Sequence, residues 1–220
     1  MKITQISPNI WKLGIWMIIP VNVWFVRSED GLILIDGGIP KMATGILKQI
    51  KELNLPLKKI LLTHGHSDHV GSVKEVVRHT SAPVYIHREE LQYAEGDMPY
   101  PGRKKAQTTI DKGMASPLLQ ESEGRLQPLE GLLPLWTPGH SPGHVAYYHK
   151  EDGVLIGGDL FTTRRGRLAR PIPMFTADMQ TAVRSGAVIE ELKPKLLTVC
   201  HGEDIKEPYS QWEGYWTRWS

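Results

Sequence analysis

Apolar positions along this chain fall into short runs cut by glycine, proline and charged turns, with helical spacing between some of them. Val21-Asn22-Val23-Trp24-Phe25-Val26 is rich in β-formers, and Leu32-Ile33-Leu34-Ile35 is a second such run. Ser28-Glu29-Asp30-Gly31 lies between them, so the two predict a hairpin. Asp36-Gly37-Gly38 then ends the second strand at a sharp turn. From Lys41 to Leu53 the apolar Ile46, Leu47 and Ile50 recur on one helical face, and Asn54 and Pro56 stop the helix. Ile60-Leu61-Leu62 predicts a strand buried on both faces, Val73 to His79 a helix, and Val84-Tyr85-Ile86 a strand, which together read as a βαβ unit. The pattern breaks between Glu89 and Leu129, too long for a simple connection, and this stretch is expected to be a partly helical cap or lid. Strands resume at Leu132 to Trp136. Val145-Ala146-Tyr147-Tyr148 and Val154-Leu155-Ile156 predict a second hairpin. Asp178 to Leu192 predicts one helix capped by Asp178 or Thr176, Leu196-Leu197-Thr198-Val199 a last buried strand, and Trp212, Trp216 and Trp219 a terminal helix docked by an aromatic stripe. The order of elements suggests two similar halves.

Composition narrows the class. With 220 residues, 40% hydrophobic and 23% charged, the chain reads as one large globular domain spanning 1–220, with 89–129 as its insertion. A net charge of +2 gives no reason to expect a nucleic-acid partner. Its one cysteine, Cys200, excludes an internal disulfide framework and a multi-thiolate zinc site. The most apolar early stretch, Ile15 to Pro20, is far shorter than a membrane span, and the first residues lack a basic start and apolar run. The expectation is a cytoplasmic protein with a small-molecule substrate and no membrane partner; a homodimer is compatible with it.

The nine histidines are clustered rather than scattered. Thr63-His64-Gly65-His66-Ser67-Asp68-His69 places His64, His66, Asp68 and His69 within six residues. Imidazole nitrogens and carboxylate oxygens suit zinc, and also iron or manganese. In an extended loop His64 and His66 can turn to one ion, while Asp68 and His69 can address a neighbour. Without a metal, so many polar groups packed together need other compensation. Three further candidates stand at strand ends or in a turn: His140 in Thr137-Pro138-Gly139-His140-Ser141-Pro142-Gly143-His144, Asp159 after Val154 to Gly158, and His201 after Leu196 to Cys200.

This ordered set, together with Asp36-Gly37-Gly38, resembles the metallo-β-lactamase superfamily of di-metal hydrolases, over most of the chain from Asp36 to His201. The resemblance implies an α/β fold, a four-layer αββα sandwich. It implies two divalent ions, zinc first and iron or manganese as alternatives. His64, His66 and His140 would hold one, Asp68, His69 and His201 the other, and Asp159 would bridge them. A hydroxide shared by the two would attack the substrate, with Asp68 as the catalytic residue that orients it and passes its proton on. Asp36 and His144 would stand behind the ligands. If His201 faces the metal, strand alternation turns Cys200 away from it. His79, His87 and His149 read as structural.

Glyoxalase II and acyl-homoserine lactonases look nearest, and both imply hydrolysis of a small thioester, lactone or other ester. Leu160-Phe161-Thr162-Thr163 lacks the tyrosine that lactonases carry after the aspartate. The alternatives are a phosphodiesterase of the ribonuclease Z branch, or an oxidoreductase resembling mononuclear-iron persulfide dioxygenases. Met98, Tyr100, Phe161 and Arg164 are the candidates for touching substrate.

Overall fold

The computed structural model describes every residue except Ser122 and Glu123. The chain forms two compact units, Met1–Leu118 and Leu119–Ser220, so the unit boundary falls inside the segment expected to be a cap.

The first unit is built on a seven-stranded sheet in sequential order. Strands β1 (Lys2–Ser7), β2 (Ile10–Trp16), β3 (Pro20–Ser28) and β4 (Gly31–Ile35) form an antiparallel meander. The expected β3–β4 hairpin has a two-residue turn, since Ser28 pairs with Gly31. Strands β5 (Leu57–Leu61), β6 (Val84–Ile86) and β7 (Ala115–Pro117) then continue the sheet in parallel. The whole of β4 is buried, as are Ile60, Leu61 and Leu62, as continuous apolar runs dictate. Helix α1 (Ala43–Leu53) follows a turn opened by Pro40 and ends at Asn54, whose φ of 52° places it in the left-handed region that asparagine tolerates. A one-turn helix α2 (Ser67–Val70) and then α3 (Val73–Thr80) follow the histidine loop.

The 89–129 segment is partly helical, taking in most of α4 (Arg88–Ala94), and its strand β7 joins the edge of the main sheet, with Leu118 N–H continuing the pairing to the Ile86 carbonyl. Helix α4 is capped by His87, whose Nδ1 accepts the Glu89 N–H at 3.2 Å. Burial holds that imidazole below its usual range. His87 therefore takes its proton at lower pH in the fold than in the unfolded chain, where it does so once pH drops through about 6.5. Stability is unaffected above that pH and falls below it, with a limiting slope of about 1.4 kcal/mol per pH unit. His87→Asn keeps a capping oxygen that does not titrate. Denaturant unfolding of the metal-free protein should show a shallower loss between pH 7 and pH 5 in that variant, and identical slopes would refute the assignment.

The second unit carries a five-stranded sheet, ordered β14-β13-β10-β9-β8 and composed of β8 (Leu132–Trp136), β9 (Val145–His149), β10 (Val154–Ile156), β13 (Leu196–Thr198) and β14 (Ile205–Lys206). Only the β10–β13 pair is parallel. A separate ribbon pairs β11 (Thr162–Arg164) with β12 (Arg167–Ala169). The helix expected from Asp178 to Leu192 is two, α5 (Met179–Ser185) and α6 (Val188–Leu192). Gly186 separates them, and a Cβ there would stand 3.0 Å from the Phe161 ring, so the break lets α5 close onto the core. Asp178, not Thr176, caps α5, accepting the Thr181 N–H at 3.0 Å. The terminal helix α7 (Trp212–Trp219) buries Trp212 and Tyr215 in the core that holds Phe161, Val183 and Ile189.

Candidate metal centre

In the first unit the parallel neighbours β4 and β5 end side by side, with the Asp36 N–H donating to the Leu61 carbonyl at 2.9 Å. Their carboxyl ends therefore bring Asp36 against Thr63 and His64, the edge of a parallel sheet where ligands bind. Asp36 is fully buried and sits at φ 60°, a strained setting for a residue with a side chain. Its Oδ1 accepts the Thr63 N–H at 2.7 Å, and its Oδ2 accepts both the Thr63 hydroxyl and His69 Nδ1 at 2.7 Å.

These contacts set the ring protons. A carboxylate only accepts, so His69 carries its proton on Nδ1 and keeps a lone pair on Nε2. The Thr63 hydroxyl spends its proton on Asp36, so it accepts from His64 Nδ1 at 3.1 Å, which leaves a lone pair on His64 Nε2. That nitrogen faces His66 Nδ1 at 2.9 Å. Two imidazole nitrogens that close need a shared proton or a shared cation between them. Asp68 is part-exposed on α2, with Oδ2 4.0 Å from His69 Nε2. The donor set and its fixed tautomers fit a divalent metal ion.

The second unit repeats the device. Strands β10 and β13 are parallel neighbours, and their ends stay paired through Gly157 N–H to Thr198 O (2.8 Å) and Cys200 N–H to Gly158 O (2.9 Å). This sets Asp159 beside His201, with Asp159 Oδ2 3.4 Å from His201 Nε2. His140, from the β8–β9 loop, reaches the same oxygen with Nε2 at 3.4 Å. Behind it, His140 Nδ1 lies 3.3 Å from Thr176 Oγ1, whose own proton goes to the Ile172 carbonyl at 2.9 Å, so His140 keeps its lone pair on Nε2. His144 differs from its neighbour. Its Nε2 accepts the Asp159 N–H at 3.1 Å and its Nδ1 meets Thr137 Oγ1 at 2.8 Å, so its ring braces the Asp159 loop.

Cys200 departs from expectation. Its Sγ lies within 4.8 Å of ligand atoms of both Asp159 and His201. Strand β13 ends at Thr198, so the alternation that would have turned the thiol away no longer applies.

Of the four residues expected to touch substrate, Met98 and Arg164 present exposed side chains. Phe161 is fully buried, edge-on to Tyr215 with centroids 5.2 Å apart, and is a core residue because Leu160 and Phe161 continue the buried stretch after Asp159. Tyr100 is buried too: its hydroxyl donates to Glu90 at 2.8 Å and its ring stands 4.7 Å from His66. Burial first, and then Glu90, raise its pKa far above the usual phenol range. Sequence reasoning missed Thr63, Thr176, Glu90 and Thr109. Only Thr63, inside the histidine loop, carried a local signal.

The metallo-beta-lactamase superfamily model matches residues 17–201. The chain belongs to that superfamily. Across 100% of its length it is 36% identical to "Probable metallo-hydrolase YybB" of Bacillus subtilis, of which it covers 99%. It is 31% identical to "Hydroxyacylglutathione hydrolase GloC" of Haemophilus influenzae, over 72% of this chain and 73% of that one. Among solved structures, TTHA1623 in a di-iron-bound form is similar at TM-score 0.68 and 26% identity, covering 95% of this chain and 98% of that one. The fold is the metallo-β-lactamase fold.

Proposed function

We propose that this superfamily member uses two divalent ions to hydrolyse a small thioester, lactone or other ester. It is a metal-dependent hydrolase. His64, His66 and His140 would hold one ion, Asp68, His69 and His201 the second, and Asp159 would serve both. The observation that carries this reading is the set of ring protons: hydrogen bonds from Asp36, Thr63 and Thr176 leave His64, His69 and His140 each with an Nε2 lone pair. Bound, the ions would supply ionised water at neutral pH and polarise the attacked carbonyl. The chain's own residues orient the reaction. Asp68, part-exposed at the start of α2, is the carboxylate placed to take a proton, and Asp159 is held from behind by His144. Zinc is the first candidate for this donor set, and the di-iron-bound neighbour makes iron the alternative.

The relative named a hydroxyacylglutathione hydrolase supports a thioester. The β11–β12 ribbon, where Arg164 pairs directly with Arg167, supports an anionic substrate, which would relieve that like-charge juxtaposition. The apolar β2–β3 tip, with Trp16 74% and Ile18 91% exposed, lies at the same end of the strands as Asp36 and supports an apolar portion in the substrate. Arg164→Gln is expected to raise KM for an anionic thioester about tenfold while kcat stays within about twofold. An equal rise for a neutral thioester would remove the arginine from substrate binding.

A panel of thioesters, lactones and phosphodiesters, with metal content measured on the same sample, tests the whole proposal. Ester or thioester turnover that a chelator abolishes and added zinc or iron restores is the expected result. Turnover of phosphodiesters alone, or oxygen consumption with a single iron, would replace it.

A further inference from the structure

Gly65, the residue between His64 and His66, is gripped on both sides by one later segment. Its N–H donates to Glu90 Oε1 at 3.0 Å, and its carbonyl accepts the Thr109 hydroxyl at 2.6 Å. Glu90 is fully buried, and the same Oε1 accepts the Tyr100 hydroxyl at 2.8 Å. Tyr100 in turn stacks on Tyr93, with centroids 5.1 Å apart, and stands edge-on to His66. Nothing larger than glycine fits at position 65: a Cβ would lie 2.5 Å from the Tyr100 hydroxyl and 2.6 Å from Ala94 Cβ.

A peptide group is planar, so one hydrogen bond to it orients a rigid unit. The Gly65 N–H belongs to the plane shared with His64, and the Gly65 carbonyl to the plane shared with His66. Glu90 therefore fixes the first plane and Thr109 the second. A carboxylate is expensive to bury, and an apolar residue would serve if α4 had only to pack.

The geometry points to Glu90 as a positioning residue that, with Thr109, fixes the His64–Gly65–His66 backbone, and hence the angle between the two imidazoles, before an ion arrives. Ligands held within about 0.5 Å of their bound geometry need no reordering on binding. The 88–110 stretch thus acts as a clamp on the ligand loop. This inference rests on reading His64 and His66 as ligands.

The test strips the full chain of metal and titrates it with cobalt(II) alone, followed by visible absorption, alongside amide hydrogen exchange of the metal-free protein. Glu90→Ala should weaken cobalt affinity about 10–100-fold and speed exchange at the Gly65 amide. Glu90→Gln, whose amide oxygen can accept the same two hydrogen bonds, should restore affinity to within a few-fold. Thr109→Val, which frees one peptide plane, should give an intermediate loss. Wild-type affinity in Glu90→Ala, or a Glu90→Gln variant as weak as the alanine, would overturn the role. Should the alanine variant not fold, wild-type affinity and exchange in Thr109→Val would overturn it instead. If His64→Ala and His66→Ala bind cobalt as the parent does, the ligand reading fails, whereas Gly65 exchange in the Glu90 variants still reports on the clamp.

Discussion

Alanine at position 68 is expected to cut turnover about 10²–10⁴-fold, the range that a positioned proton acceptor contributes, while the protein stays folded. The two halves of that outcome have separate causes. Asp68 lies on a single-turn helix with its side chain 37% exposed, so its removal should change stability by less than about 1 kcal/mol. Its Oδ2 is 4.0 Å from His69 Nε2, beside the nitrogen that keeps a lone pair, so the loss falls on chemistry. Steady-state kinetics should show kcat and kcat/KM dropping together, the sign of an interaction made only in the transition state. Metal content measured on the same variant separates a lost proton acceptor from a lost ligand. A variant within tenfold of the parent in kcat would remove Asp68 from the mechanism.

Sequence patterning captured the elements that place these residues, because each rests on local signals. The Leu32–Ile35 and Ile60–Leu62 runs are continuous apolar stretches, and such runs become strands buried on both faces. The histidine loop follows the second of them directly. The same logic placed Asp159 and His201 after the β10 and β13 runs, and the structure makes those strands parallel neighbours. Parallel pairing is the physical link between a strand-end position in sequence and a shared edge in space.

The less legible features depend on contacts between distant residues. Glu90 sits among Arg88, Glu89 and Gln92 and reads as an exposed helical face, yet it is fully buried under the Gly65 loop, 25 residues earlier in the chain. Strand β7 is only Ala115-Ser116-Pro117, too short and too mixed to show a period, and it exists because the open edge of β6 offers a ladder. Cys200 was placed by extending strand alternation past Thr198, where β13 ends. Phe161 follows a candidate ligand in sequence but packs among the residues of α5 and α6, a matter of tertiary packing that proximity in sequence does not reveal.

Asp36 offers the sharpest separation of fold from site, because two substitutions there should do different damage. Alanine removes the acceptor of three hydrogen bonds at once and leaves the Thr63 N–H and the His69 Nδ1–H buried without it. Unmet buried donors cost roughly 1–3 kcal/mol each, and alanine at φ 60° adds about 1 kcal/mol of backbone strain. A loss of about 3–5 kcal/mol in metal-free stability is expected. Asparagine tolerates the left-handed backbone and keeps one acceptor oxygen, so Asp36→Asn should fold with a much smaller loss. Its amide nitrogen, however, must stand either where Oδ2 holds the Thr63 hydroxyl and His69 Nδ1 or where Oδ1 holds the Thr63 N–H. At the first place it opposes the His69 Nδ1 proton and the Thr63 hydroxyl together and drives the His69 ring to the other tautomer, which places a proton on Nε2. At the second it sets one N–H against another and pushes the side chain off the position that holds the hydroxyl and the ring. Either way the carboxylate's hold on the ring protons is weakened, and affinity should fall about 10–100-fold in a folded protein. Chelator competition measures the affinity and thermal unfolding the stability. An Asp36→Asn variant that binds metal as tightly as the parent would show that the tautomers are not set by this carboxylate, and the donor arrangement built on them would have to be abandoned.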